Sequence, residues 1–404
     1  MRTATQPAAA ATPAAGSILP ALLPLALFVL LGFLAVGLPL AVLPGYVHGT
    51  LGYGNVMVGV VIGTQALAAL LTRASVGRYV DERGGKRATL IGLALAATSG
   101  AFYLLAHALA AMPVASLAAL LLGRVALGLS DSFVITGCFA WGMGRIGAQN
   151  AGRMMAIFGM AMFAAMTLGA PLGVAVQAQG GLSLLAAAVI ALPALALFAA
   201  SQLAGTPAIA GKRLPFSQVL GLIWLPGLGL ASGVAGFAVL ATFITLLFAQ
   251  RGWGNAAFAL TLFGIGYIGL RLFLAHLPDK LGGARVAMVS LLVEAAGLAL
   301  IWQAPTAQLA FAGAVLVGLG FSLVFPSFGV EAIRRVPPQS RSAALGAYAA
   351  FFDLAFAVTG PLAGLVAGSA SYGVVYALAG AVAMLGTALA WRLAGKVPAL
   401  SVHH

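Results

Sequence analysis

Arg124, Gly128 and Asp131 stand at i, i+4 and i+7 in the run LLGRVALGLSD (121–131), so on a helix they share one face about two turns long. Burial favours the protonated form of a carboxylate, and a neighbouring guanidinium favours the ionised form. An Asp beside an Arg that can move therefore has the chemistry of a reversible proton carrier. The Arg has the chemistry of a modulator of that carboxyl, or of a contact for an anionic group. Two further carboxylates, Glu294 and Asp353, are embedded in apolar sequence, Asp353 eight residues before Pro361. Each ionisable side chain costs roughly 2.5–3.5 kcal/mol on insertion scales when it enters a bilayer, and such residues usually face an interior. A structural reading stands beside the chemical one. In it Arg124 and Asp131 form a fixed polar pin, and Asp353 and Glu294 bond between helices, Glu294 turning inward to a polar partner. Gln65 is a further polar contact. With Arg124 balancing only one of Asp131, Glu294 and Asp353, the expected core is acid-rich, and that imbalance marks where a proton binds.

The elements that hold these residues must be membrane spans. Of 404 residues, 62% are hydrophobic and 7% charged, against about 45–50% and about 25% in soluble domains, which excludes a soluble globular or disordered chain. The formal charge of +13 does not point to nucleic acid, because long apolar stretches separate the bases. Twelve apolar runs fit the roughly 20 residues a helix needs to cross: 19–45, 56–77, 88–109, 115–141, 154–177, 181–203, 223–249, 256–277, 286–304, 307–332, 342–367 and 371–394. The runs are continuous rather than alternating, so they predict helices and not a barrel. With both termini cytoplasmic, sixteen of the twenty Lys and Arg fall in the tails and in loops after even-numbered spans, and only Arg251 falls in a loop on the other side. Arg73, Arg124 and Arg271 lie inside spans. Lone Cys138 is a small packing residue, and no phosphate loop, metal-ligand spacing or activated nucleophile is present. The expectation is no enzyme, no cofactor, no metal and no nucleotide-driven pump.

The chain also repeats itself. Gly52, Gly54 and Asn55 recur as Gly252, Gly254 and Asn255, an offset of 200. TRASVGRYVDERGGKR (72–87) matches LRLFLAHLPDKLGGAR (270–285) at 198, pairing Arg73 with Arg271, Asp81 with Asp279, Gly84 with Gly282 and Arg87 with Arg285. Gly128 and Arg145 match Gly318 and Arg335 at 190, and GAPLG (169–173) is similar to GPLAG (360–364). Two parallel six-helix repeats joined by a linker describe a transporter plan with a substrate site between them.

Several of these segments resemble motifs of the major facilitator superfamily. GRYVDERGGKR (77–87) resembles its cytoplasmic signature in Gly77, Asp81, Gly84, Lys86 and Arg87, with Glu82 where a base is usual. LLGRVALGLSD resembles its helix-four motif, and GAPLG its helix-five antiporter motif, with Ala170 separating Gly169 from Pro171. YVHGTLG (46–52) and FFDLAFAVTGPLAG (351–364) look like the bacterial proton-driven efflux subgroup labelled arabinose efflux permeases.

The resemblance implies an all-α membrane protein of twelve transmembrane helices in two pseudo-symmetric six-helix bundles. The bundles would span 18–203 and 219–395, with a cytoplasmic linker at 204–218 and tails at 1–17 and 396–404. It also implies a cavity lined by the first, fourth, seventh and tenth helices. Phe33, Phe133, Phe237 and Phe325, with Arg124 and Gln65, would meet substrate there, while Asp131, Asp353, Glu294 and Arg124 handle protons. Asp81, Glu82, Asp279 and Glu331, set among arginines such as Arg87 and Arg145, would latch the halves together, with Gly77, Gly84 and Lys86 completing the motif. The helix breakers Gly169, Pro171, Gly173, Gly360, Pro361 and Gly364 would close the central interface. The function implied is proton-coupled antiport exporting a small organic molecule (a drug, sugar or metabolite) by a monomer in the bacterial inner membrane. The alternative is proton-coupled uptake of a small organic anion, with Arg124 as its contact.

Overall fold

The computed structural model describes residues 18–147, 150–207, 216–336 and 341–394. The expected tails, and the middle of the expected linker with Lys212, Arg213 and Pro215, lie outside the described residues. Ten helices follow the apolar runs directly: α1 (Ile18–Leu40), α2 (Asn55–Arg83), α3 (Gly85–Ala108), α4 (Pro113–Ile146), α7 (Phe216–Arg251), α8 (Ala257–Leu274), α9 (Gly283–Trp302), α10 (Ala307–Ile333), α11 (Arg341–Ser369) and α12 (Tyr372–Ala394). The fifth and sixth runs form one helical stretch, Ala151–Gln202, of 52 residues. At 1.5 Å per residue it would extend about 78 Å, more than twice the hydrocarbon thickness. The backbone leaves helical geometry at Gly180 and Gly181, where φ of 64° at Gly181 suits glycine, and two helices result, α5 (151–179) and α6 (182–202). Several helices outrun the apolar runs. α2 continues to Arg83 and α7 begins at Phe216, inside the expected linker, because helical geometry persists where the apolar sequence stops. Beyond α1 the chain adds a short turn, Leu43–Gly45, and a π-helical turn, Tyr46–Thr50.

Within the first half α1 packs on the Ala151–Gln202 stretch, α3 on α4, and α2 on α4; within the second, α9 packs on α10 and α12, α8 on α10, and α7 on α11 and α12. Two seams join the halves, α2 against α11 and α5 against α8. Large apolar side chains such as Leu71, Phe273 and Trp391 point outward and are exposed, as lipid-facing residues are.

The repeat read from the sequence is reproduced contact by contact. Ser132 Oγ donates to the Ala69 carbonyl (3.0 Å), and Ser322 Oγ to the Tyr267 carbonyl (2.7 Å). A Cβ at Gly128 would run into the Gln65 carbonyl, and one at Gly318 into the Phe263 carbonyl. Gly84 and Gly282 end α2 and the short helix Leu277–Leu281 at φ of 85° and 91°. Across the seams, Gly63 abuts the Ala357 carbonyl while Thr261 Oγ1 donates to the Thr167 carbonyl. These pairs fix the correspondence: α2 maps onto α8 at an offset of 198, and α4 onto α10 and α5 onto α11 at 190.

At the end carrying the α1–α2 and α7–α8 loops the halves are closed. Residues 32–44 and 232–244, in the stretches that α1 and α7 contribute there, are buried without interruption. Gly59 lies against the Gly360 carbonyl, Gly364 against the Asn55 carbonyl, and Tyr372 Oη donates to Asn55 Oδ1 (2.7 Å).

Candidate functional site

Below that closed end, α2 and α11 are bridged by charge. Arg73 donates through Nε (2.7 Å) and Nη2 to the same oxygen, Oδ2 of Asp353, across 280 residues of sequence. Gly63 meets Ala357 one turn above Asp353, and Arg73, ten residues further along α2, reaches back toward its helix N-terminus as helical side chains do. The Asp353 side chain is 8% exposed and that of Arg73 19%. This pair corrects the expected acid-rich core: Arg73 neutralises Asp353, and no spacing rule reveals a partner so distant in sequence.

Just over two turns from Arg73, α2 presents a second polar group. Gln65 Nε2 donates to Asp131 Oδ2 at 2.5 Å, while Gln65 Oε1 is buried without a partner. Asp131 and Asp353 thus each meet a polar side chain of the same helix, Gln65 and Arg73 of α2. An amide serves either protonation state, donating to a carboxylate or accepting from a carboxylic acid after its O and N exchange places.

Arg124 plays a different part from the one expected. It is 1% exposed, and Nε and Nη2 donate to the Val61 and Ile62 carbonyls of α2 (both 3.2 Å). It ties α4 to α2 and forms no ion pair with Asp131, which corrects the expected pin, while its Nη1 is buried with no hydrogen-bond partner among the described residues. Glu294 turns inward as anticipated but meets no polar partner. It is fully buried, both oxygens lack a hydrogen bond among the described residues, and it packs against Gly233 and Gly236 of α7.

The pseudo-symmetry exposes a division of chemistry between the seams. Gln65, Asp131 and Asp353 map onto Phe263, Phe321 and Phe163. The three phenylalanines form one cluster, with ring centroids 6.0–6.4 Å apart. Tyr267 stacks on Phe163 at 3.8 Å, and Phe237 on Phe263 and Phe321 at 4.9 and 5.4 Å. Arg73 alone keeps its identity, as Arg271.

The expected substrate aromatics divide accordingly. Phe237 belongs to this cluster and Phe33 is buried, whereas Phe133 packs edge-on against Tyr79 and Phe325 against Tyr348, each half-buried. The gating residues largely bond within a half rather than between halves. Lys86 Nζ donates to the Ser201 carbonyl, Arg145 to the Ala21 and Ala204 carbonyls while lying over Trp141, and Glu331 accepts from the Ala284 amide and pairs with Arg334. Asp279 and Glu82 are exposed, the Arg87 side chain is exposed, and Gly77 has open space around it. Asp81 is half-buried at the end of α2. Gly169 and Gly173 pack on α1 inside the first half, whereas Gly360 and Gly364 pack on α2 across the seam. The two breaker motifs, with Pro171 and Pro361 inside their helices, thus serve different interfaces. No cluster of three or more His, Cys, Asp or Glu able to hold a metal occurs among the described residues.

Residues 228–403 match the family model described as Major Facilitator Superfamily. An uncharacterized MFS-type transporter of Salmonella typhimurium is 44% identical over 359 residues, covering 89% of this chain and 92% of its own length. One from Pseudomonas aeruginosa is 46% identical over 367 residues, 91% of each. Among solved structures, the human organic anion transporter MFSD10 superposes with a TM-score of 0.70 at 19% identity, covering 94% of this chain and all of that one. The nucleoside transporter NupG does so with a TM-score of 0.65 at 19% identity, over 94% of this chain and all of that one.

Proposed function

Because the chain belongs to the major facilitator superfamily of transporters, and is a multi-pass membrane protein rather than an enzyme, we propose that it is a proton-coupled antiporter that exports a small organic molecule by alternating access. The observation that carries this reading is the Arg73–Asp353 ion pair between the halves, beside the Asp131–Gln65 pair. An antiporter must cross when loaded with proton or substrate and must not cross when empty. The ion pair exists only while Asp353 is ionised, so it holds the empty carrier in place. Protonation removes the attraction and lets the halves rock. Asp131, bonded to an amide on the same helix as Arg73 and suited to both of its protonation states, passes or shares the proton. Glu294 lacks both solvent access and a partner to exchange with, so coupling is assigned to the two aspartates.

The charge asymmetry of the loops supports an orientation with both termini in the cytoplasm of the bacterial inner membrane. The closed end then faces outward, away from the side on which an exporter collects its cargo. Uptake of an anion through Arg124 is the less supported reading, since Arg124 Nε and Nη2 are committed to the α2 backbone.

Proteoliposomes containing a luminal pH dye test the assignment. Addition of transported compound to vesicles with an imposed proton gradient is expected to release protons in antiport, and Asp353→Asn is expected to abolish that release. Proton movement in the same direction as the compound would overturn the exporter reading.

A further inference from the structure

Of the three arginines in apolar runs, two are held by carboxylate or carbonyl oxygens. Asp353 holds Arg73, and the Val61 and Ile62 carbonyls hold Arg124. Arg271, which matches Arg73 in the repeat but lies in the last turn of α8, has no carboxylate within ion-pair distance among the described residues. Its Nη1 bonds to Tyr267 Oη, and its guanidinium carbon lies 5.3 Å from the centre of that ring. The position on α5 that corresponds to Asp353 is Phe163, which stacks on Tyr267 instead. On the same helix, Gly159 leaves the space beside Arg271 Nη1 free of any side chain. Leu272 and Phe273, next in sequence, are exposed on the lipid side. Arg271 is therefore a cation in the last turn of α8, half-buried at the seam, with no carboxylate counter-charge among the described residues.

We propose that Arg271 is the anion subsite of the transport path, and that the transported compounds are small organic anions with an aromatic or otherwise apolar body. The anionic group stands beside Gly159, where it is to Arg271 what the Asp353 carboxylate is to Arg73. The body lies toward Tyr267 and the phenylalanines around it. A guanidinium offers two donors to an oxyanion, and neighbouring rings favour a planar apolar ligand. This deepens the antiport reading and rests on it: one seam handles the proton, and the other, symmetric to it, the cargo. Anionic lipid headgroups offer the same oxyanion chemistry, so the test must separate lipid from solute.

The test uses the full chain in nanodiscs of neutral phosphatidylcholine, with matched probes: benzoate against benzamide, and 2-naphthoate against 2-naphthamide. Binding is read as a shift of the unfolding temperature and by titration. The carboxylates are expected to stabilise the protein and the amides not. Arg271→Gln is expected to weaken carboxylate binding roughly tenfold to a hundredfold, the loss of a charge-assisted hydrogen-bond pair. Arg271→Lys keeps the charge and is expected to retain part of the binding, which separates a lost site from a misfolded chain. Asp353→Asn is expected to retain anion binding while losing proton release, so failure of the coupling scheme and failure of this subsite give different patterns. Equal shifts from amides and acids, or carboxylate binding that survives Arg271→Gln, would overturn the proposal. So would stabilisation through Arg271 by phosphatidylglycerol nanodiscs with no response to either carboxylate, which would make the site a lipid contact.

Discussion

Arg73 on α2 and Asp353 on α11 form an ion pair that joins the two halves of the molecule within the membrane span. Breaking such a pair from one side leaves an uncompensated charge and costs about 3–5 kcal/mol, whereas removing both partners costs far less. Arg73→Gln and Asp353→Asn alone are each expected to lower thermal stability in detergent markedly. The double variant is expected to recover most of that loss without recovering proton-coupled transport. Additive losses in the double-mutant cycle would show that the two side chains do not act as a pair.

Asp131 and Glu294 are expected to separate in transport. Asp131→Asn keeps a hydrogen-bonding partner for Gln65 but cannot ionise, so it should fold normally and lose proton-driven exchange by an order of magnitude or more. Glu294→Gln should leave the proton-to-substrate ratio unchanged. Flux measurements in sealed vesicles check both, and persistence of proton-driven exchange in Asp131→Asn would remove it from the coupling unit.

Arg124 binds backbone, and its replacement should be felt as instability. Arg124→Gln removes the two guanidinium bonds that tie α4 to the Val61 and Ile62 carbonyls of α2 and should cost about 1–3 kcal/mol. Its effect on the affinity for organic anions should be small, in contrast to Arg271→Gln. A large affinity change in Arg124→Gln at unchanged stability would reverse the two roles.

Close backbone approach sets the closed end. Gly59→Ala drives a methyl group into the Gly360 carbonyl and should shift the population away from the closed form, increasing labelling of cysteines placed nearby. Gly77→Ala meets open space and should change nothing sterically. Because the one native cysteine, Cys138, is buried, introduced cysteines report without background.

Much of the fold was legible in the sequence because it depends on two one-dimensional signals, apolar run length and the 190–200-residue repeat. The carboxylates of the site were legible for a similar reason, since a charge in an apolar run is conspicuous. Their partners were not. Arg124 and Asp131 share a helical face, yet their side chains serve different neighbours: one turns to carbonyls and the other to Gln65. Arg73 was visible as an in-span base with a repeat mate, but its pairing with Asp353 is a property of the seam between halves. The same holds for Arg271. Only the three-dimensional register, which sets Phe163 where symmetry would require an acid, shows that its counter-charge is missing.

The most direct test of the coupling scheme needs no substrate. Spin labels at exposed Thr50 and Ala370, on opposite halves at the closed end, report the distance between them as a function of pH in nanodiscs. In the otherwise wild-type protein the distance is expected to be short at high pH and to lengthen on acidification, as Asp353 takes up a proton and the halves part. In Asp353→Asn the long form is expected at every pH. An unchanged pH response in Asp353→Asn would contradict the claim that the Arg73–Asp353 pair couples protonation to the movement of the halves.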